Sequence, residues 1–210
     1  MPELVCYRAS SYRTPVRSRR HGPNSAGRYH APGSPATQYL SLHPLTPWAE
    51  VIRNQRCASV DDALEIRIAI WAARLVLARS PTTIDFELAD GGGTLYPIPP
   101  EALTDDDPTD CRALAQVHRG DRGAAKVLRV PSAALPGTEN VVILGGRRMI
   151  EYRIEPIRRI HVPAAISAVD ARPPRDLFRF VRHRGTRDEA FEAWRRGEEH
   201  EIPALDAGDL

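Results

Sequence analysis

Six side chains carry groups suited to meeting a ligand: Arg8, Arg28, Tyr39, Glu50, Ser132 and Asn140. Glu50 follows Thr46-Pro47, a pair that predicts a helix start with Thr46 as N-cap and Pro47 in the first position. In that opening turn the helix dipole favours an ionised carboxylate, which can stabilise positive charge developing in a transition state. An acid that only decorates a helix start would look the same. Arg28 follows Gly27. A guanidinium fork matches phosphate geometry, and glycine lets a backbone approach a ligand closely. The neighbouring Arg17, Arg19 and Arg20 fit a run of solvated loop arginines equally well. Arg8 suits a ligand contact or a structural ion pair. Tyr39 suits ring stacking, a hydroxyl contact or the core. Ser132, after Pro131, suits a phosphate or hydroxyl contact or plain turn chemistry. Asn140 adds an amide.

Other chemistries lack their residues. The seven histidines show no metal-ligand spacing. No G-x-G-x-x-G follows a predicted strand and no Walker A sequence occurs, which argues against Rossmann and P-loop nucleotide sites. No G-x-S-x-G elbow is present. The three cysteines, Cys6, Cys57 and Cys111, are odd in number and widely spaced, as expected of reduced thiols. The formal charge is +2, too small to make the whole chain an anion-seeking surface. Nearly all its cations are arginines, Lys126 being the only lysine. With no signal peptide visible and an apolar run at 68–77 interrupted by Arg74, a cytoplasmic protein is expected.

The elements that would position these groups can be read along the 210 residues. Residues 4–9 and 38–42 predict strands, separated by an Arg-, Ser-, Gly- and Pro-rich stretch at 10–35. Ser59 and Asp62 predict a second helix start, and 63–78, apolar nearly all round, is expected to continue as a buried helix. Residues 83–88 alternate as a strand that the 91–93 glycines would end. An acidic loop at 105–107 precedes a short helix at 110–118. Strands are expected at 126–130 and 140–144, joined by the 132–138 loop, with further strand at 149–162. Pro173-Pro174 suggests a hinge, dividing a domain at 1–169 from a charged extension at 170–210. In that extension Thr186 and Glu189 predict a capping box, Gly197 a stop, and Phe191 and Trp194 an apolar face. The order of elements predicts a mixed α/β or α+β domain with antiparallel hairpins.

Four segments, in order, resemble the RES domain family. They are Tyr7-Arg8-Ala9-Ser10; Gly27-Arg28-Tyr29-His30-Ala31-Pro32-Gly33; Gln38-Tyr39-Leu40-Ser41 running on to Ala49-Glu50-Val51; and Val130-Pro131-Ser132-Ala133 followed by Asn140. Tyr29-His30 stands where the family usually has Trp-Asn, and Leu144-Gly145-Gly146-Arg147 replaces an Asn-Pro-x-His segment. The resemblance implies an ADP-ribosyltransferase-like fold, with largely antiparallel sheet and flanking helices. It also implies an enzyme that takes NAD⁺ as substrate, needs no cofactor, and breaks the nicotinamide–ribose bond by hydrolysis or phosphorolysis.

In such an enzyme nicotinamide leaves readily, so the site must stabilise an oxocarbenium-like ribose, hold the phosphates and shelter the ring. The resemblance assigns catalysis to Glu50, Arg28 and Ser132, and NAD⁺ binding to Arg8, Arg28, Tyr39, Ser132 and Asn140. It further implies a toxin paired with an antitoxin carrying a helix-turn-helix DNA-binding domain, and self-association. Protein mono-ADP-ribosylation is the alternative reaction. A basic nucleic-acid-binding module, resting on Arg17, Arg19 and Arg20 with Tyr12 and Tyr29, is the alternative of another class.

Overall fold

The computed structural model describes residues 1–10, 25–86, 98–121, 125–145, 150, 152–157 and 172–198. Seven strands form one sheet: β1 (Glu3–Ser10), β2 (Gln38–Ser41), β3 (Ala69–Leu77), β4 (Thr82–Thr83), β5 (Val127–Pro131), β6 (Glu139–Ile143) and β7 (Tyr152–Pro156). Their spatial order is β4-β5-β6-β2-β1-β3-β7. Every pairing is antiparallel except β4 with β5. The helices are α1 (Thr46–Gln55), α2 (Val60–Leu64), α3 (Thr109–Gly120), α4 (Leu177–Phe180) and α5 (Glu189–Arg195), with a 3₁₀ turn at Pro100–Leu103. This is the mixed fold, mostly antiparallel with flanking helices, that the sequence predicts. The arginine cluster at 17–20, the glycines at 91–93 and all of 158–171 lie outside the described residues.

Strand alternation gives the sheet two apolar faces. On β6, Val142 packs with Leu103, Leu114 and Leu128 under α3, while Val141 and Ile143 join Cys6, Leu40, Leu75 and Ile154 on the other side. Helix α1 is seated by Trp48, Ala49 and Ile52 against Ile70, Leu135 and Leu177. Burying a side chain such as Ile52 contributes about 1.5–3 kcal/mol, so the helix that carries Glu50 is held firmly to the sheet.

Three local expectations are corrected. The Ser59–Asp62 capping box forms, Ser59 Oγ accepting from Asp62 N and Asp62 Oδ2 from Ser59 N, but its helix ends at Leu64. The apolar run beyond is β3, a nine-residue strand between β1 and β7. A strand covered on both faces shows continuous apolar sequence, which periodicity alone cannot separate from a buried helix. Of the strand expected at 83–88, the described residues keep only Thr82–Thr83 as strand, paired with β5; residues 87–88 lie outside them. Helix α1 is not capped by Thr46: the chain is already helical at Leu45, so Thr46 lies inside the first turn, fully buried.

The C-terminal segment packs on the rest. Leu177 and Val181 enter the core with α1. The N-cap of α5 is Asp188, whose Oδ1 accepts from Ala190 N, while Thr186 Oγ1 donates to the His183 carbonyl instead of capping. Gly197 ends the helix at φ +77°, as the sequence predicts. Phe191 is buried, and Trp194 meets it and Phe86 edge-on at centroid distances of 5.4 and 5.0 Å.

Candidate active site

A cleft of about 770 Å³ opens where α1, the loop before β2, and the ends of β5 and β6 converge. Glu50 is its one acidic side chain anchored by the sheet. Ser132 Oγ donates to Glu50 Oε1 at 3.1 Å, and Asn140 Nδ2 donates to the same oxygen at 3.2 Å. Asn140 is oriented in turn by Ser41, whose hydroxyl donates to Oδ1 at 2.8 Å. Ser41 and Asn140 are register partners on β2 and β6, so the sheet itself sets this chain of bonds. Among the described residues Oε2 accepts no hydrogen bond, and the side chain lines the cleft. Glu50 is the fifth residue of α1, in its second turn. Its position is therefore set by side-chain bonds and not by the helix terminus, whose field fades after the first turn.

Ser132 lies behind Glu50, with no exposed surface. Its Oγ accepts from the amides of Ala134 and Leu135 at 3.1 and 3.3 Å. Turn chemistry and site chemistry thus share one hydroxyl: the amides fix the oxygen, and its proton is left to point at Glu50.

Tyr39 projects from β2 toward the loop at 27–30. Its hydroxyl accepts from Tyr29 N at 2.9 Å and meets His30 Nδ1 at 2.9 Å. Burial pushes the phenol above its ordinary value, so it stays protonated at neutral pH. Gly27 is required by this packing. A Cβ there would sit 2.5 Å from His30 Cε1 and 3.0 Å from the Tyr39 hydroxyl. The glycine makes room for the histidine and tyrosine of its own loop, a use that differs from the ligand approach expected of it.

Among the described residues, five arginines line the cleft: Arg8, Arg28, Arg53, Arg112 and Arg184. Arg8 donates to Gln38 Oε1 at 2.8 Å. Arg28 straps its loop to the acidic segment, donating to the carbonyls of Asp105 at 2.6 Å and Leu103 at 3.5 Å. Arg112, from the first turns of α3, donates through Nε to the Gly27 carbonyl at 3.0 Å. Arg53, 2% exposed, donates to the Arg182 carbonyl at 2.9 Å and pairs with Asp106 at 2.6 Å. Asp106 also takes Arg182 at 3.4 Å and the Gly185 amide at 2.6 Å. Burial alone would raise the Asp106 carboxyl, but the Gly185 amide and the two guanidiniums outweigh it and hold the group below its usual range. Arg184, on the cleft rim, belongs to the C-terminal segment that the sequence sets apart as an extension.

No family model matches the chain, and no curated protein matches it. Among solved structures, a chain of the M. tuberculosis MbcT–MbcA toxin–antitoxin complex superposes with a TM-score of 0.56 at 16% identity. The match covers 74% of this chain and 82% of that one. The fold is shared with a chain of a toxin–antitoxin complex. At this identity the likeness concerns the fold, and the site must be argued from its own geometry.

That geometry brings all six sequence candidates together. Arg8, Arg28, Tyr39, Glu50 and Asn140 line one cleft, and Ser132 backs it. Sequence reasoning missed Ser41, Arg53, Asp106, Arg112 and Arg184. The Ser41 position was readable, since it follows Tyr39 by two and so points to the same face of β2. The arginines carry no local mark, because what singles them out is a loop or helix brought from far along the chain. All three cysteines are free thiols, and among the described residues no cluster of His, Cys, Asp and Glu could hold a metal. No helix among the described residues is long and apolar enough to cross a membrane.

Proposed function

We propose that this cleft binds NAD⁺ and breaks its nicotinamide–ribose bond. The observation that carries the reading is Glu50: one oxygen is locked by Ser132 and Asn140, the other accepts no hydrogen bond among the described residues, and the side chain lines a cleft with several arginines. The volume suits a nucleotide, falling in the roughly 300–1,000 Å³ range of ligand pockets. Anionic phosphates would meet guanidiniums, and the ribose would meet the carboxylate. As the C–N bond breaks, its electron pair moves to nicotinamide and discharges the pyridinium. Positive charge then develops at the ribose carbon, where a fixed carboxylate stabilises it most in the transition state. Water or a phosphate oxygen completes the new bond, and water releases a proton. Ser132 and Asn140 keep Glu50 from turning away.

The fold shared with a chain of a toxin–antitoxin complex supports a toxin role, with a protein antitoxin as partner. Incubating the purified chain with NAD⁺, with and without inorganic phosphate, tests the reaction. Free nicotinamide should appear, with ADP-ribose or its phosphorylated form as co-product. Label transferred from NAD⁺ onto protein would show mono-ADP-ribosylation instead. Intact NAD⁺ under excess enzyme would overturn the proposal.

A further inference from the structure

We propose that Arg112 grips a phosphate of the dinucleotide, and that Arg28 is chiefly the positioning residue of the loop beside it. This rests on the NAD⁺ reading above. The two arginines differ in what their guanidiniums already hold. Arg28 spends both terminal nitrogens on the carbonyls of Leu103 and Asp105. A phosphate gripped end-on by both prongs would compete with those bonds. Arg53 is likewise committed, one terminal nitrogen to a carbonyl and the other to Asp106. Arg184 is exposed and held by a single 3.3 Å bond to Asn54, so it would have to give up much side-chain freedom on binding.

Arg112 combines a fixed elbow with free prongs. Its Nε is pinned to the Gly27 carbonyl at 3.0 Å. Among the described residues its two terminal nitrogens make no hydrogen bond, and the side chain lines the cleft half-buried. A guanidinium fixed at Nε and open at both ends is prepared for two parallel bonds to phosphate oxygens. The freedom lost on binding is correspondingly small. The Gly27 bond also ties this grip to the loop that Tyr39 and Arg28 hold, so phosphate recognition and loop placement are one unit.

The test uses the full chain and reads binding as well as turnover. Affinities for ADP-ribose and for adenosine are measured by calorimetry on the native protein, Arg112→Gln and Arg112→Lys, with thermal melts alongside. Loss of a charge-assisted pair predicts about 10–100-fold weaker ADP-ribose binding in Arg112→Gln. Arg112→Lys should fall between, because it keeps the charge without the fork. Adenosine, which has no phosphate, should bind all three alike. Unchanged ADP-ribose affinity in Arg112→Gln overturns the proposal, as does an equal loss for both ligands or no ADP-ribose binding by the native protein. Nicotinamide release is followed in the same preparations. If it is absent while ADP-ribose binding depends on Arg112, the reaction assigned to the cleft fails and the phosphate grip stands.

Discussion

Replacing Glu50 by glutamine tests the centre of the cleft. The glutamine would keep Oε1 as an acceptor for Ser132 Oγ and Asn140 Nδ2, so the side chain should stay where those bonds place it. What changes is the atom facing the cleft: a carboxylate oxygen becomes an amide NH₂, and the negative charge is lost. If that charge stabilises the developing ribose cation, the chemical step should slow on the order of 10²–10³-fold, as for other groups aimed at transition-state charge. NAD⁺ affinity should change far less. Stability should fall modestly. Bonds to a charged partner are worth about 1.5–3 kcal/mol and neutral ones about 0.5–1.5, so two weakened bonds cost roughly 2–3 kcal/mol. For a chain of this size that lowers the melting temperature by about 4–12 °C. Single-turnover nicotinamide release and a thermal melt measure the two effects separately. A Glu50→Gln protein with near-native turnover and the expected melt would refute the catalytic assignment, because it would show a carboxylate whose only task is to hold β5 and β6 to α1.

Two further outcomes are expected. Gly27→Ala should cost about 1–3 kcal/mol through overpacking, since the added carbon meets a His30 ring pinned by Tyr39; a thermal melt indistinguishable from native would show that the loop can give way. Asp106 ionises below the usual carboxyl range in the folded chain, so its contribution is fully present above about pH 3.9, the unfolded value, and is lost as pH falls through the lower folded value. Asp106→Asn should therefore melt below native at neutral pH, with the gap closing under acid; a gap constant with pH would place the effect elsewhere than in the charge.

Much of this architecture is legible where local chemistry decides structure. The segments carrying Arg8, Tyr39 and Asn140 read as short strands, the one leading to Ser132 ends in turn residues, and the Ser59–Asp62 box announces its helix. Legibility fails where tertiary context decides. Apart from Arg74, the run from Ile70 to Leu77 is apolar because neighbours cover both its faces, and a buried helix leaves the same trace. Thr46-Pro47 has the composition of a helix start, yet the turn at His43 begins the helix earlier and moves Glu50 away from the terminus. On sequence alone Tyr39 and Ser132 each fit site or structure, and both hydroxyls prove to be built into the scaffold that shapes the site. The arginines cannot be ranked from sequence, since the carbonyls that occupy Arg28 lie more than 70 residues away.

The bonds that fix Glu50 reach across 82 and 90 residues of chain. Strand β6 is inserted beside β2, so the middle of the sheet is assembled from early and late segments together. Such non-local pairing forms slowly, after loop-closure entropy has been overcome. During synthesis the ribosome delivers Arg8, Arg28, Tyr39 and Glu50 long before Ser132 and Asn140 emerge. A nascent chain at that stage has a carboxylate with neither of its anchors and a sheet without its sixth strand. For the proposed NAD⁺ cleavage, competence is thus deferred until the later strands are made, and a message cut short upstream of Asn140 would yield a product without this site.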